Sequence, residues 1–331
     1  MRMTQIRTIS PESEAAMAEE ARSALLEIGT ALDEHRSLRV RNHGLVTCDG
    51  VSLQTSENEK EIRNDRKERK RQRRSAAGSR QGSQRRQRPS GGSRSRPPGQ
   101  ASRLSGGDLR TAYENQVDQL VEAYPSTKVY NDKDGMWLLV TSTVLPGLDR
   151  EAIFLIALPY ISGAVPKAWG FWLANGEFTF IGPRHVNFID GSICAFAPAD
   201  GVWAEGGDLR SLIDLYSVWA ARHLFLEVFG RWPGKQYALC GASQYAQAHY
   251  RLHECKDDEF CGCGSETMRY DECCKPIDQK LDFETRAVEF LRSARGGFTS
   301  RRPSTEVVDF IEGRAAIPEI KTVHIQLNGV I

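Results

Sequence analysis

Residues 60–103 carry sixteen Lys and Arg against three Asp and Glu, filled out with Gly, Ser, Gln and Pro and without one aromatic side chain. Such a stretch has too little apolar surface to offset its own ordering entropy, so it does not fold by itself. Any fold must therefore be built from the sequence on either side of it. The formal net charge of +1 hides this asymmetry. A block of this kind reads first as a solvated linker. The functional alternative is an arm that displaces counterions from phosphates, and without aromatics to stack on bases its nucleic-acid contact would be weak and non-specific.

The 331 residues leave room for about two domains. We divide them into a short helical N-terminal segment (1–58), the basic disordered linker (59–107), a main domain (108–248), a small cysteine-rich module (249–280) and a C-terminal helix and tail (281–331). No apolar run approaches the roughly 20 residues a membrane helix needs, and the longest candidate, residues 152–165, is interrupted by proline. The start, MRMTQIRTISPESE, lacks the apolar core of a secretion signal. A cytoplasmic protein without a membrane partner is the expectation.

Eight cysteines divide into two close pairs, Cys261/Cys263 and Cys273/Cys274, and four scattered ones, Cys48, Cys194, Cys240 and Cys255. Close pairs read as metal ligands in a reducing compartment rather than as a disulfide framework. Cys48 reads as a small buried filler.

Before the linker, Ala21, Leu25, Ile28 and Leu32 fall at helical spacing with Gly29 as the weak point, and residues 40–51 suggest a short strand pair around Asp49-Gly50. After it, Leu109, Ala112, Tyr113, Val117, Leu120, Val121 and Tyr124 mark one helix that Asp108 can cap. Strand candidates follow at residues 127–131, 136–145, 152–159 and 170–180, the last with Asn175-Gly176 as a hairpin turn. Leu209, Leu212, Ile213, Tyr216, Trp219, Ala220, Phe225 and Val228 then predict a long helix entered through Asp208 and closed by Gly230, with His223 as a structural histidine on it. Residues 282–294 form an amphipathic pattern (Ala287, Val288, Phe290, Leu291), and residues 322–327 alternate like a strand. The order is helix, four-stranded antiparallel meander, connecting segment and helices, an α+β pattern.

The segment HVNFIDGSICAFAPADGVW, residues 185–203, concentrates the chemistry. Asp190-Gly191 signals a turn that delivers Cys194, which lies outside the cysteine cluster, onto a short edge. An amide donor, Asn187, and an imidazole, His185, stand a few residues upstream. This string resembles the active-site segment of ubiquitin-conjugating enzymes. That family has a His-Pro-Asn tripeptide, a stretch ending Asp/Asn-Gly-Ser-Ile-Cys, and a tryptophan eight or nine positions beyond the cysteine. The resemblance covers residues 108 to about 235, with Val186 in place of the proline. The ending FGRWPG, residues 229–234, is closer to the divergent E2-like proteins of bacterial conjugation and antiphage operons. The resemblance implies a UBC-like fold with Cys194 carrying the C-terminus of a ubiquitin-like modifier as a thioester. The modifier would be received from an E1-like activating enzyme and passed to an amine of a target protein. It further implies Asn187 as oxyanion donor, His185 as the member that holds the loop, and Trp203 as packing beneath it. Asp190 and Asp200 are candidate carboxylates to orient or deprotonate an incoming amine.

The string CGCGS, residues 261–265, followed by Tyr270 and Cys273-Cys274, offers four thiolates to a tetrahedral Zn²⁺. It resembles the SEC-C zinc motif, with a central gap one residue longer. Four thiolates leave no open coordination position, so the zinc would be structural and would supply folding energy to a short polar module. Cys255 and His253 are alternate ligands. A second functional class is a non-catalytic scaffold or adaptor of the same fold, with the zinc knuckle and basic arm as its binding parts.

Overall fold

The computed structural model describes residues 11–34, 38–41, 44–47, 104–142, 144, 150–196, 202–239, 241–265, 267–294 and 301–323. The basic run through Arg103, Cys48, the Asp49-Gly50 turn, Asp200, Cys240 and the alternating segment beyond Val323 lie outside them.

The N-terminal pattern forms α1 (Pro11–Asp33), followed by the hairpin of β1 (Leu38–Arg41) and β2 (Gly44–Thr47). Arg41 stands opposite Gly44, so this pair turns several residues before the expected Asp49-Gly50. Leu25, Ile28 and Leu32 of α1 join the main core. Gly29 is the contact point rather than a weak point: a Cβ there would lie 2.0 Å from Cε2 of Phe225. Gly29→Val should lower stability by about 1–3 kcal/mol through overpacking, read as a lower urea midpoint with an unchanged slope.

The helix expected over residues 109–124 is two, α2 (Gly106–Glu114) and α3 (Val117–Ala123). Its cap is Ser105, in a capping box whose third helical residue is Asp108, so Asp108 reinforces the cap without being it. The break falls at Asn115-Gln116. There the Gln116 amide donates to the carbonyl of Gly207 (3.3 Å) and accepts from the Leu209 N–H (2.8 Å). It thereby ties the break to the start of the long helix.

The sheet is an antiparallel meander of β3 (Lys128–Asp132), β4 (Gly135–Ser142), β5 (Arg150–Pro159), β6 (Lys167–Ala174) and β7 (Glu177–Phe180). It has five strands rather than four because the Asn175-Gly176 turn splits the last candidate into a hairpin, with Ala174 opposite Glu177. The period of two sends Met136, Leu138, Val140, Phe154, Ile156 and Leu158 to one face, against the helices. Trp137, Leu155, Ala157, Trp169 and Phe171 point to the other.

The first face is filled by α4 (Leu209–Phe229). Asp208 caps it by accepting from the N–H groups of Arg210 and Ser211, and Gly230 closes it at φ 72°, as the pattern predicted. Next come α5 (Gln244–Glu254), α6 (Lys275–Asp278), α7 (Phe283–Ser293) and α8 (Thr305–Ile311). Of the apolar stripe read on α7, Phe290 is buried, with its ring 4.8 Å from His249 and 5.5 Å from Phe188. Val288 and Leu291 are exposed.

The second sheet face is covered by the C-terminal segment. Val307 and Ile311 of α8, with Ile320 and Val323 from a helical turn at residues 320–323, pack on the two tryptophans. Thr322 and Val323 are thus helical rather than the start of a strand. Among the described residues no helix is long and apolar enough to cross a membrane.

Candidate functional site

The chain leaves β7 and crosses beneath α4, which grips it by its backbone. Trp219 Nε1 donates to the carbonyl of His185 (2.9 Å), and His223 Nε2 donates to that of Arg184 (2.7 Å). His223 is therefore structural, and burial holds its pKa down to about 3. His185 adopts φ 50°, a conformation that persists in a non-glycine residue only when its surroundings impose it. Its carbonyl also accepts from the amide of Cys194 (3.0 Å), while Val186 and Ile193 form an antiparallel bridge and the Ile193 N–H reaches Ala168 on β6 (2.7 Å). A tight loop from residue 186 to 193 results, and Cys194 emerges from it exposed and outside any disulfide.

The turn read at Asp190-Gly191 closes this loop. Asp190 is buried, and its Oδ1 accepts from the backbone and hydroxyl of Ser192 (3.0 and 2.7 Å). Lys167 Nζ lies 2.9 Å from Asp190 Oδ2 as an ion pair, while its own hydrogen bond goes to the carbonyl of Val323. Asp190 therefore builds the loop and is not presented to an incoming amine. Gly191, at φ 65°, has no room for a side chain because a Cβ would lie 2.5 Å from the backbone of Arg302. Asn187 is exposed, and its amide donates to the Ser192 hydroxyl (2.9 Å). Trp203 is buried, with its ring 6.2 Å from Phe196, two residues past the cysteine.

His185 packs its ring 4.2 Å from Trp232, and its Nε2 donates to Gln236 Oε1 (3.3 Å). Burial, then the nearby Arg184 and Arg222, push its pKa well below the ordinary value, so the ring is neutral at pH 7. It holds the loop.

Beside it lies a buried polar cluster that no local sequence pattern marks. Arg184 pairs with the fully buried Glu259, Nη1 lying 2.8 Å from Oε1 and Nη2 donating to Oε2. Glu259 also accepts from the Trp232 N–H (2.7 Å) and from Gln236 Nε2 (3.1 Å), and Gln236 accepts from Arg184 Nη2 (2.8 Å). Each lone pair has a partner, as a buried charge requires. Charged residues default to the surface in any sequence reading, so nothing in the string singled these out.

Glu259 lies two residues before the cysteine cluster. Sγ atoms of Cys261, Cys263, Cys273 and Cys274 lie within 4.8 Å of one another, with Cys263–Cys273 at 3.7 Å and Cys273–Cys274 at 3.9 Å. A tetrahedron with Zn–S near 2.3 Å has edges of about 3.8 Å, so the four residues fit a zinc ion. Gly264, at φ 87°, makes the turn after Cys263, and a Cβ there would strike the Tyr237 ring at 2.2 Å. Around the sulfurs, Arg251 on α5 forms a buried two-point pair with Asp278 on α6 (2.8 and 2.7 Å), and Tyr270 donates to Asp278 (3.2 Å). The two alternates lie outside the cluster. Cys255 is buried, its thiol pushed up to about 12 by burial, and His253 lies against His249 with ring centroids 4.4 Å apart.

The structure thus brings His185, Asn187 and Cys194 onto one loop and the four cysteines into one cluster, and it joins the two through Arg184 and Glu259. No protein-family model, curated protein or solved structure matches the chain.

Proposed function

We propose that the chain is an E2-like carrier that holds a ubiquitin-like modifier as a thioester on Cys194 and passes it to an amine. The observation that carries this reading is the exposed thiol of Cys194 at the exit of a loop whose backbone is fixed on both sides. The order of elements supports it: a helix, an antiparallel meander, the cysteine loop, then a long helix packed under the sheet. So do the residues shared with the ubiquitin-conjugating active-site segment, His185, Asn187, Asp190 through Cys194, and Trp203.

Loading needs an accessible thiolate and little else. The Cys194 thiolate attacks the thioester carbonyl held by the activating enzyme, a new S–C bond forms, and the old one breaks with the other cysteine leaving as thiolate. In transfer, the target amine adds to the carbonyl, gives up a proton to solvent, and expels the Cys194 thiolate as the amide forms. Rotation of the Asn187 amide away from Ser192 would place a donor on the developing oxyanion, an effect worth about 10²-fold or more. His185, neutral and packed against Trp232, keeps the loop in shape and moves no proton.

A scaffold or adaptor is the second reading, and the Asn187–Ser192 hydrogen bond favours it, because that amide is engaged inside the loop. The two readings separate when the protein is mixed with the activating enzyme, ATP and the modifier and run on a non-reducing gel. A carrier gives a band that thiol reductant removes and that Cys194→Ala abolishes. No adduct with any activating enzyme and modifier pair leaves the adaptor.

A further inference from the structure

We infer that Glu259 is a positioning residue for the Cys194 loop, and that the four-cysteine knuckle sets the geometry of that loop through it. Glu259 belongs to the knuckle by its backbone: its carbonyl accepts from the Tyr270 N–H (2.9 Å), and Cys261 follows two residues on. Its side chain points the other way, onto Arg184, Gln236 and the Trp232 amide. Arg184 is the residue before His185, and Gln236 touches both of them. His185 in turn holds the Cys194 amide with its carbonyl, from a positive-φ conformation that a non-glycine residue keeps only while its surroundings impose it. The metal-binding backbone and the cysteine are therefore linked by an unbroken path of contacts that is buried at Glu259, Arg184 and Gln236, running from knuckle to Glu259 to Arg184 and Gln236 to His185 to the Cys194 amide.

Removing the Glu259 charge leaves Arg184 buried without its counter-charge, a state that a protein relieves by moving the arginine. Gln236 then loses its partner, His185 relaxes, and the bridge from Val186 to Ile193 opens. Emptying the knuckle frees the backbone at residues 259–261 and does the same from the other end. The positioning itself stands independently of the carrier reading; its value to catalysis rests on that reading.

Hydrogen exchange on the zinc-loaded full chain tests this in two arms, Glu259→Gln against the parent, and the parent stripped by a chelator and then restored with zinc alone. The expected result in both is exchange about tenfold faster across residues 186–194 with residues 150–159 unchanged, reversed in the second arm by zinc. The pH profile of Cys194 alkylation should move with it, which a role confined to the knuckle leaves untouched. Effects limited to residues 255–279 overturn the inference, and so does loss of protection in β5, which would make Glu259 an ordinary core residue. Faster loop exchange in a protein that forms no thioester keeps the positioning and removes the carrier. A thioester with unchanged loop exchange does the reverse.

Discussion

Replacing Cys261 with serine, or stripping zinc from the intact protein, is expected to unfold residues 255–279 while the sheet stays folded. The reason is how little else holds that module. Among the described residues its hydrophobic cluster is Cys255, Cys261 and Tyr270, and the buried Glu259–Arg184 and Arg251–Asp278 pairs are of a kind that roughly balances its own desolvation cost. Structural zinc in short peptides contributes on the order of 10–16 kcal/mol of folding free energy at neutral pH, comparable to the stability of an entire domain. Cys261 is the fully buried residue of the four, so serine there removes the thiolate at the inner side of the site. Colorimetric zinc release should fall from about one equivalent per chain toward none, and limited proteolysis should cut within the knuckle first. A protein that keeps its zinc and its protease resistance after Cys261→Ser would refute the four-sulfur site.

The second large effect concerns the other face of the sheet. Ending the chain before Arg301 removes Val307, Ile311, Ile320 and Val323, all buried, and uncovers Trp137, Trp169 and Phe171. At about 1.5–3 kcal/mol per buried side chain the loss is about 6–12 kcal/mol as an upper bound, enough to consume a normal margin of stability. The truncation also takes away the Val323 carbonyl that holds Lys167 and the backbone that lies over Gly191, so the cysteine loop loses its outer wall. We expect an aggregated product, or a compact one with strong binding of an apolar dye and no cooperative thermal transition. A soluble truncated chain with a sharp transition near that of the parent would show that the segment is dispensable.

Much of the first face was legible in the sequence because its signals are local. Stripes at helical spacing, Asp208 and Gly230 at the ends of α4, and the Asn175-Gly176 turn all act within a few residues. The four cysteines were legible for the same reason. The second face was harder, yet β5 carried a signal that could have revealed it: residues 152–158, AIFLIAL, are apolar at both parities, which is how a strand buried on two sides reads. Its cover was not legible, since α8 lies more than a hundred residues further along and its two buried side chains are an ordinary short apolar pair. Gly29 reads as a weak point because a helical glycine is judged by propensity, and only the Phe225 ring explains it. The split of α2 from α3 depends on Gln116 reaching Gly207 and Leu209, a contact that no local pattern encodes.

That late cover has a consequence during synthesis. β4, β5 and β6 leave the ribosome well before α8 does, and at about 5–20 residues per second the interval between Phe171 and Val307 is roughly 7 to 27 s. Through that time the nascent chain presents two tryptophans and a phenylalanine on an open sheet face, a surface suited to capture by a chaperone or by a neighbouring nascent chain on the same message.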